Sequence, residues 1–282
     1  DMLVTGRLTL GAYNKTWDGV SVALNFETGN GNYDNPYVIK TEEEFIYFKK
    51  LIESDEHLNY QNKYYVLGND LDFGNNSISS IGISVSGDER VFKGHLDGAG
   101  YSLNNLNVSS SLFGDTSYYG LFAKTVNATV ENLNINNLTI EPKEENGKVV
   151  IGTLVGDSSV YQESDDSEPS ELSSFKNISI SDFSIKLSDK MTGSVNATGF
   201  INNISKNTVI NNIYLKGSIT GNRDSDLLAN VSIKSLSDTS NIICDVLSST
   251  DKLYLEKVDG VLFENNYVKK DGKFYLDNSE VS

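Results

Sequence analysis

Asp70 and Asp72 alternate along the strand-like run Tyr64-Tyr-Val-Leu-Gly-Asn-Asp-Leu-Asp-Phe73, so both carboxylates project from one face. Carboxylates so placed can hold Ca²⁺ with help from backbone oxygens, or act as the two carboxyl groups of glycoside hydrolysis. They serve as readily to begin a strand and turn the chain around its corner, and that structural use is the stronger reading. His95 lies two residues from Asp97, which permits an acid–base pair, yet Asp97-Gly98 is better explained as a chain-reversing turn. His57, the other histidine, belongs to an unrelated segment, so no zinc site built on histidine is expected. Cys244 has no histidine near it and sits in the apolar run Asn241-Ile-Ile-Cys-Asp-Val-Leu247. A small buried hydrophobe fits that position better than a nucleophile does. Arg7, Arg90 and Arg223 are the only arginines, and none joins a recognisable catalytic constellation. Neither a metal nor a cofactor is implied.

Recognition needs less than catalysis: exposed side chains on a rigid support suffice. The aromatic turn around Phe113, Asp115, Tyr118 and Tyr119 is the ligand-binding candidate, with Tyr118, Tyr119 and Asp115 as its residues. Tyrosine offers rigid area and a polar tip. Packing of the same rings against the next layer of chain competes with that role.

The charge balance narrows the partners. With 23 basic and 39 acidic residues the formal charge is −16, which argues against nucleic acid, whose phosphates are met by Lys and Arg. It argues equally against an anionic membrane surface. One cysteine excludes an intrachain disulfide. No stretch approaches a membrane span in length, and the chain opens Asp1-Met2-Leu3 straight into strand-like sequence, as a piece of a longer precursor would.

The elements that position these residues are short strands. Asn, Ser and Gly abound, and short Ile/Leu/Val runs recur throughout. Five segments share one shape, an Asn, an aliphatic residue and then apolar–polar alternation: they begin at Asn105, Asn132, Asn177, Asn212 and Asn241. Their spacing is irregular, as in stacked coils carrying insertions of different length, and the widest gap holds the acidic stretch Glu163-Ser-Asp-Asp-Ser-Glu-Pro169. A glycine leads an apolar run at Gly120-Leu-Phe-Ala, Gly152-Thr-Leu-Val-Gly156 and Gly199-Phe-Ile, the mark of a tight corner. Each coil exposes aliphatics that only a neighbouring coil can cover. Asparagine at a recurring corner tolerates left-handed backbone and can hydrogen-bond the next coil. Thr41-Glu-Glu-Glu44 is a capping box, and Phe45, Phe48, Leu51 and Ile52 follow at helical spacing. One helix is therefore predicted over about 42–53, covering the open end of the stack.

From Asn35 onward the order of signals resembles a bacterial pattern. Asn35-Pro-Tyr-Val-Ile-Lys-Thr-Glu-Glu-Glu-Phe45, the Tyr64–Phe73 run, Phe92-Lys-Gly-His-Leu-Asp-Gly-Ala-Gly-Tyr-Ser-Leu-Asn-Asn-Leu106 and the glycine–aliphatic repeats resemble GLUG-type β-helix modules over roughly Gly31 to Thr220. His95 and Ala99 depart from the commoner residues, and the later repeats are degenerate. Such modules occur in bacterial surface proteins and adhesins, and in non-catalytic parts of streptococcal IgA-protease-like proteins. No His-Glu-x-x-His segment is present, so protease activity does not follow.

The resemblance and the repeats together predict an all-β right-handed parallel β-helix (solenoid) with one N-terminal capping helix. N-terminal strands are expected over 1–30 (Leu3 to Leu10, Val20 to Phe26), the β-helix over 31–252, and short C-terminal strands over 253–282 with a turn at Lys270-Asp-Gly272. The expected function is a non-catalytic extracellular binding or adhesion module, with the acidic insertion near Asp165 as a contact surface. Its partner would be a host or matrix protein or glycan. A polysaccharide lyase or glycosidase working along the helix groove, and a structural stalk, are the alternatives.

Overall fold

The computed structural model describes residues 16–143, 146–159, 173–204, 208–221, 228–229, 236–248, 267–270, 273–276 and 279–281. Its longest strands bury an interrupted alternation. In Thr129–Ile140 the inward residues are Val130, Leu133, Ile135, Leu138 and Ile140. In Ser174–Lys186 they are Phe175, Ile178, Ile180, Phe183 and Ile185. Strict alternation would put every second residue inside, but here the phase slips twice. The slips fall at Asn132 (φ 52°), Asn137 (φ 56°), Asn177 (φ 53°) and Asp182 (φ 56°), each in left-handed backbone. A single αL residue kinks the strand, so two successive side chains face outward before alternation resumes. Asn and Asp adopt that conformation at low cost, which is why they occupy the kinks.

The described chain is mostly strand, arranged in parallel sheets around a shared apolar interior. The first stack runs Tyr37–Ile39, Tyr64–Leu67, His95–Asp97, Thr129–Ile140, Ser174–Lys186, Thr208–Thr220 and Leu236–Ser248, parallel throughout. Leu71–Asp72 and Ser77–Ser79 pair with Ser102–Ser109, which in turn pairs with the second part of Thr129–Ile140. A second stack is Thr116–Tyr119, Lys148–Gly152, Val195–Thr198 and Leu228–Ala229. A third is Phe122–Val126, Val155–Ser159 and Ile201–Ile204. Between Ser102 and Thr220 the chain visits first, second and third stacks in turn, then repeats. Ile135, Ile151 and Val155, one from each stack, belong to one core cluster.

The corner between second and third stacks is where the glycine runs fall. A Cβ on Gly120 would stand 2.4 Å from the Gly152 carbonyl oxygen, and one on Gly152 would stand 2.2 Å from that of Val155. Backbone meets backbone there, so no side chain fits.

The helix forms over Glu42–Glu53, with the bounds that the capping box and apolar spacing predict. Thr41 caps it by accepting the Glu44 N–H at 3.2 Å. The Glu44 carboxylate is buried and accepts the N–H groups of Lys40 and Glu27, tying the incoming chain to the first turn. Phe45, Phe48, Leu51 and Ile52 form the buried face. They lie on an aromatic layer in which Phe45 meets Phe73 at 5.4 Å and Phe48 meets Tyr65 at 4.5 Å and Phe92 at 5.5 Å. Phe92 then stacks on Phe122 of the third stack.

Both ends carry further expectations. Leu3 to Leu10 lies outside the described residues. Val20 to Phe26, expected as a strand, is irregular. Asp18 accepts the N–H groups of Val20 and Ser21, which closes a local turn, and Ala23 donates to Glu43 O of the helix. Side-chain capping of this kind competes with strand pairing. At the C-terminus Tyr267–Lys270, Lys273–Leu276 and Ser279–Val281 are short strands that pair antiparallel; Asp271-Gly272, in the expected turn, and Leu253 to Asn266 lie outside the described residues.

Candidate functional site

Two files of amides run across the first stack and frame its outer surface. In one, Asn132 donates to Asp97 at 3.0 Å, Asn177 to Asn132 at 2.8 Å and Asn212 to Asn177 at 2.9 Å. In the other, Asn105 donates to Asp72 at 2.8 Å and Asn137 to Asn105 at 2.7 Å. Each asparagine stands at a kink and donates to the previous rung, and Asn105, Asn132 and Asn177 also accept from the next. The Asn105 segment therefore belongs to the second file, while Asn132, Asn177 and Asn212 belong to the first. Interposed residues of the first file are 35, 45 and 35 apart, and of the second 33 and 32. Asn241 follows Asn212 by the backbone register, which pairs Ile213 with Ile242.

Between the files lies a strip two outward side chains wide. Reading along the stack, its first five rungs are Asp70 and Asp72, Ser102 and Asn104, Asn134 and Asn136, Ser179 and Ser181, then Tyr214 and Lys216. The residues between them, Leu71, Leu103, Ile135, Ile180 and Leu215, are buried and fix the direction of their neighbours. On the three middle rungs every outward group is a hydroxyl or a carboxamide, and all are half-buried. Asn136 donates to Asn104 Oδ1 at 2.9 Å, Asn104 to Leu71 O at 3.2 Å and Asn134 to Gly100 O at 2.8 Å. Each spends one donor there and retains a second N–H and further acceptor capacity, while the Ser179 and Ser181 hydroxyls lie 3.5 Å apart. Tyr214 is 36% exposed, and Tyr101, bordering the second rung, is 37% exposed.

Asp70 and Asp72 thus share one face, and the strip is what they share it with. Both are exposed. Asp70 accepts the Ser102 N–H at 2.8 Å, while Asp72 accepts the Gly74 N–H and the Asn105 carboxamide. These contacts start the strand, close its corner and end the second amide file. Among the described residues no three His, Cys, Asp or Glu side chains converge on a metal position.

The aromatic turn is a packed one. Tyr118 and Tyr119 are 9% and 3% exposed, and Asp115 is exposed. The Tyr118 ring meets Phe113 edge-on at 5.5 Å. Lys124 Nζ lies 5.1 Å from the Phe113 ring centre and 5.9 Å from that of Tyr118, and bonds Glu89 at 2.7 Å. Asp115 and Leu112 are its solvent-facing groups. Burial, reinforced by the carboxylates of Asp157, Glu89 and Asp115, pushes the Tyr118 phenol from 10.0 up to about 12. A folded pKa above the ordinary one means stability that is complete below pH 10.0 and is lost as pH rises through about 12. Chemical denaturation across that window should show the parent losing more stability than Tyr118→Phe. Parallel curves would place the phenol in water.

His95 bonds Glu131 Oε1 at 2.8 Å rather than Asp97, whose carboxylate caps the turn by accepting Ala99 N–H. Strand register brings this about: Glu131 lies opposite Asp97, one strand over from His95. His57 is buried, with Nδ1 3.1 Å from Ser54 O. Cys244 lies in Leu236–Ser248, opposite Leu215 and Val268. The acidic insertion near Asp165 lies outside the described residues.

Sequence reasoning did not find the strip. The signal was there as Ser-Leu-Asn-Asn105, Asn-Ile-Asn-Asn137 and Ser-Ile-Ser-Asp182. In each, a polar residue flanks one aliphatic on both sides just before a kink. Searched against known proteins, the chain matches no family model, no curated protein and no solved structure. No helix among the described residues is long and apolar enough to cross a membrane.

Proposed function

We propose that the chain is a non-catalytic binding module, an adhesion element of a larger bacterial surface or secreted protein, built as a right-handed parallel β-helix of GLUG type. The three stacks are then the faces of one coil. Right-handedness follows the strong preference of parallel strands joined by crossovers, and the resemblance of the segments between Gly31 and Thr220 to GLUG modules is the ground for the family.

The observation that carries the function is the strip: solvent-facing hydroxyls and carboxamides held in fixed register over an apolar interior. A stack whose interior aliphatics interlock holds such groups still, so little order has to be gained on binding. Hydrolysis asks for more, a positioned acid with a base or nucleophile in a place that excludes water. Asp70 and Asp72 stand in the open with oxygens already engaged by main-chain N–H and by Asn105.

The test is immobilised glycans and matrix proteins probed with the purified chain, alongside incubation with acidic and neutral polysaccharides with and without Ca²⁺. Retention on a surface without released product is expected. Cleavage abolished by Asp70→Asn or Asp72→Asn would make the chain a polysaccharide-active enzyme. No retention anywhere would leave a stalk.

A further inference from the structure

We infer that the strip between the two amide files binds a single strand of neutral glycan lying along the stacking direction, with Tyr214 and Tyr101 as its aromatic contacts; this rests on the binding reading above.

Three features select that ligand. The first is chemistry: the middle rungs offer Ser102, Asn104, Asn134, Asn136, Ser179 and Ser181, six groups that both donate and accept. A chain rich in hydroxyls, each also donor and acceptor, is their complement. An apolar partner would leave their remaining donors and acceptors without bonds.

The second is charge. The protein carries −16 overall, and Asp70 and Asp72 stand at one end of the strip. An anionic glycan would meet repulsion along its length. The three middle rungs themselves carry no charged side chain, so a neutral strand loses no ion solvation on docking. Lys216, on the fifth rung, lies 3.5 Å from Asp182.

The third is size. Rungs repeat at about 4.8 Å, so five rungs span roughly 19 Å, and the five residues from one file to the other span at most about 16 Å. The resulting area, on the order of 300 Å², falls well short of the roughly 800 Å² per partner typical of stable protein interfaces. One extended strand fits it. Tyr101 and Tyr214 border it about three rungs apart and offer ring surface to sugar C–H groups.

The experiment measures binding of the full chain to an array of neutral, amino and acidic oligosaccharides and to matrix proteins. It is repeated with Tyr214→Ala, Tyr101→Ala, Ser179→Arg and Leu112→Ser, the last an exposed site remote from the strip. Denaturation midpoints confirm that each variant is folded. The expected result is retention on neutral oligosaccharides, weakened about tenfold by each tyrosine replacement, blocked by the bulk of Ser179→Arg and unaltered by Leu112→Ser. Neutral-glycan binding that all variants share equally would overturn the strip as the site and leave the module a binder. Retention only on acidic glycans or on proteins would overturn the ligand class. Failure to bind anything would overturn both readings together.

Discussion

Replacing Phe48 with alanine should destabilise the folded chain by about 3–5 kcal/mol, the usual cost of emptying a fully buried aromatic site. Phe48 has no solvent exposure. Its ring is held by Phe45 at 5.8 Å, Tyr65 at 4.5 Å and Phe92 at 5.5 Å. A cavity there cannot collapse easily, because Tyr65 is anchored by its hydroxyl to Tyr60 O at 2.9 Å and Phe92 is stacked on Phe122. The effect passes beyond the helix. Its buried face is one wall of the interior at Tyr37–Ile39 and Tyr64–Leu67, so loosening it exposes the first rungs. Stacked repeats can unfold in stages, so the helical circular dichroism signal should be followed together with the strand signal. The helical signal should move to lower denaturant first. Phe48→Leu, which keeps most of the volume, should cost far less. An unchanged midpoint for Phe48→Ala would mean that the helix contributes nothing to holding the end of the stack.

Much of this architecture could be read before any coordinate. The helix was legible because its signal is local: a cap, three acids in the first turn and apolar residues three and four apart. Strand character was legible for the same reason. Register was not. The Asn105 segment looks like the Asn132 segment, yet its cross-strand partner is Asn137, because Ser102 pairs with Asn134 and not with Thr129. Two corners carrying the same residue type look like one when only sequence is available. The kinks at Asn132 and Asn137 also break the alternation, so that no single period describes a strand of 12 residues. Val20 to Phe26 misled for another reason: apolar spacing suggests a strand, but a strand requires a partner, and Asp18 offered the backbone a closer one.

The candidate site was legible only in part. That Asp70 and Asp72 share a face follows from a two-residue period and is what the strand shows. What else shares the face depends on pairings with residues more than thirty positions away, which no local pattern reveals. The aromatic turn at Phe113 to Tyr119 attracted notice through composition, and composition is silent on burial. Lys124 fills the space beside Phe113 and Tyr118 and leaves Asp115 facing water. Tyr214 and Tyr101 are not legible locally, because a lone tyrosine in an alternating strand carries no signal until the rungs are aligned.

Replacing Asn177 separates the two jobs that the amide files perform, and its expected cost is about 3 kcal/mol for alanine. Part of that is backbone: Asn177 sits at φ 53°, where a residue with an ordinary Cβ is disfavoured by roughly 1–2 kcal/mol. The rest is hydrogen bonding. Asn177 donates to Asn132 and accepts from Asn212, at 2.8 and 2.9 Å, and each such bond has a net worth near 1 kcal/mol. Asn177→Gly keeps the backbone angle without strain and loses only the side-chain bonds, so it should destabilise less than Asn177→Ala. Asn177→Asp tolerates the angle and still accepts from Asn212, but it sets a carboxylate against the Asn132 Oδ1 that formerly accepted. It should fall below glycine at neutral pH and recover as acid protonates it. Equal losses for alanine and glycine would show that the kink imposes no backbone demand. No loss in any of the three would show that the files merely line the corner, and that the rungs are kept in register by the apolar interior alone.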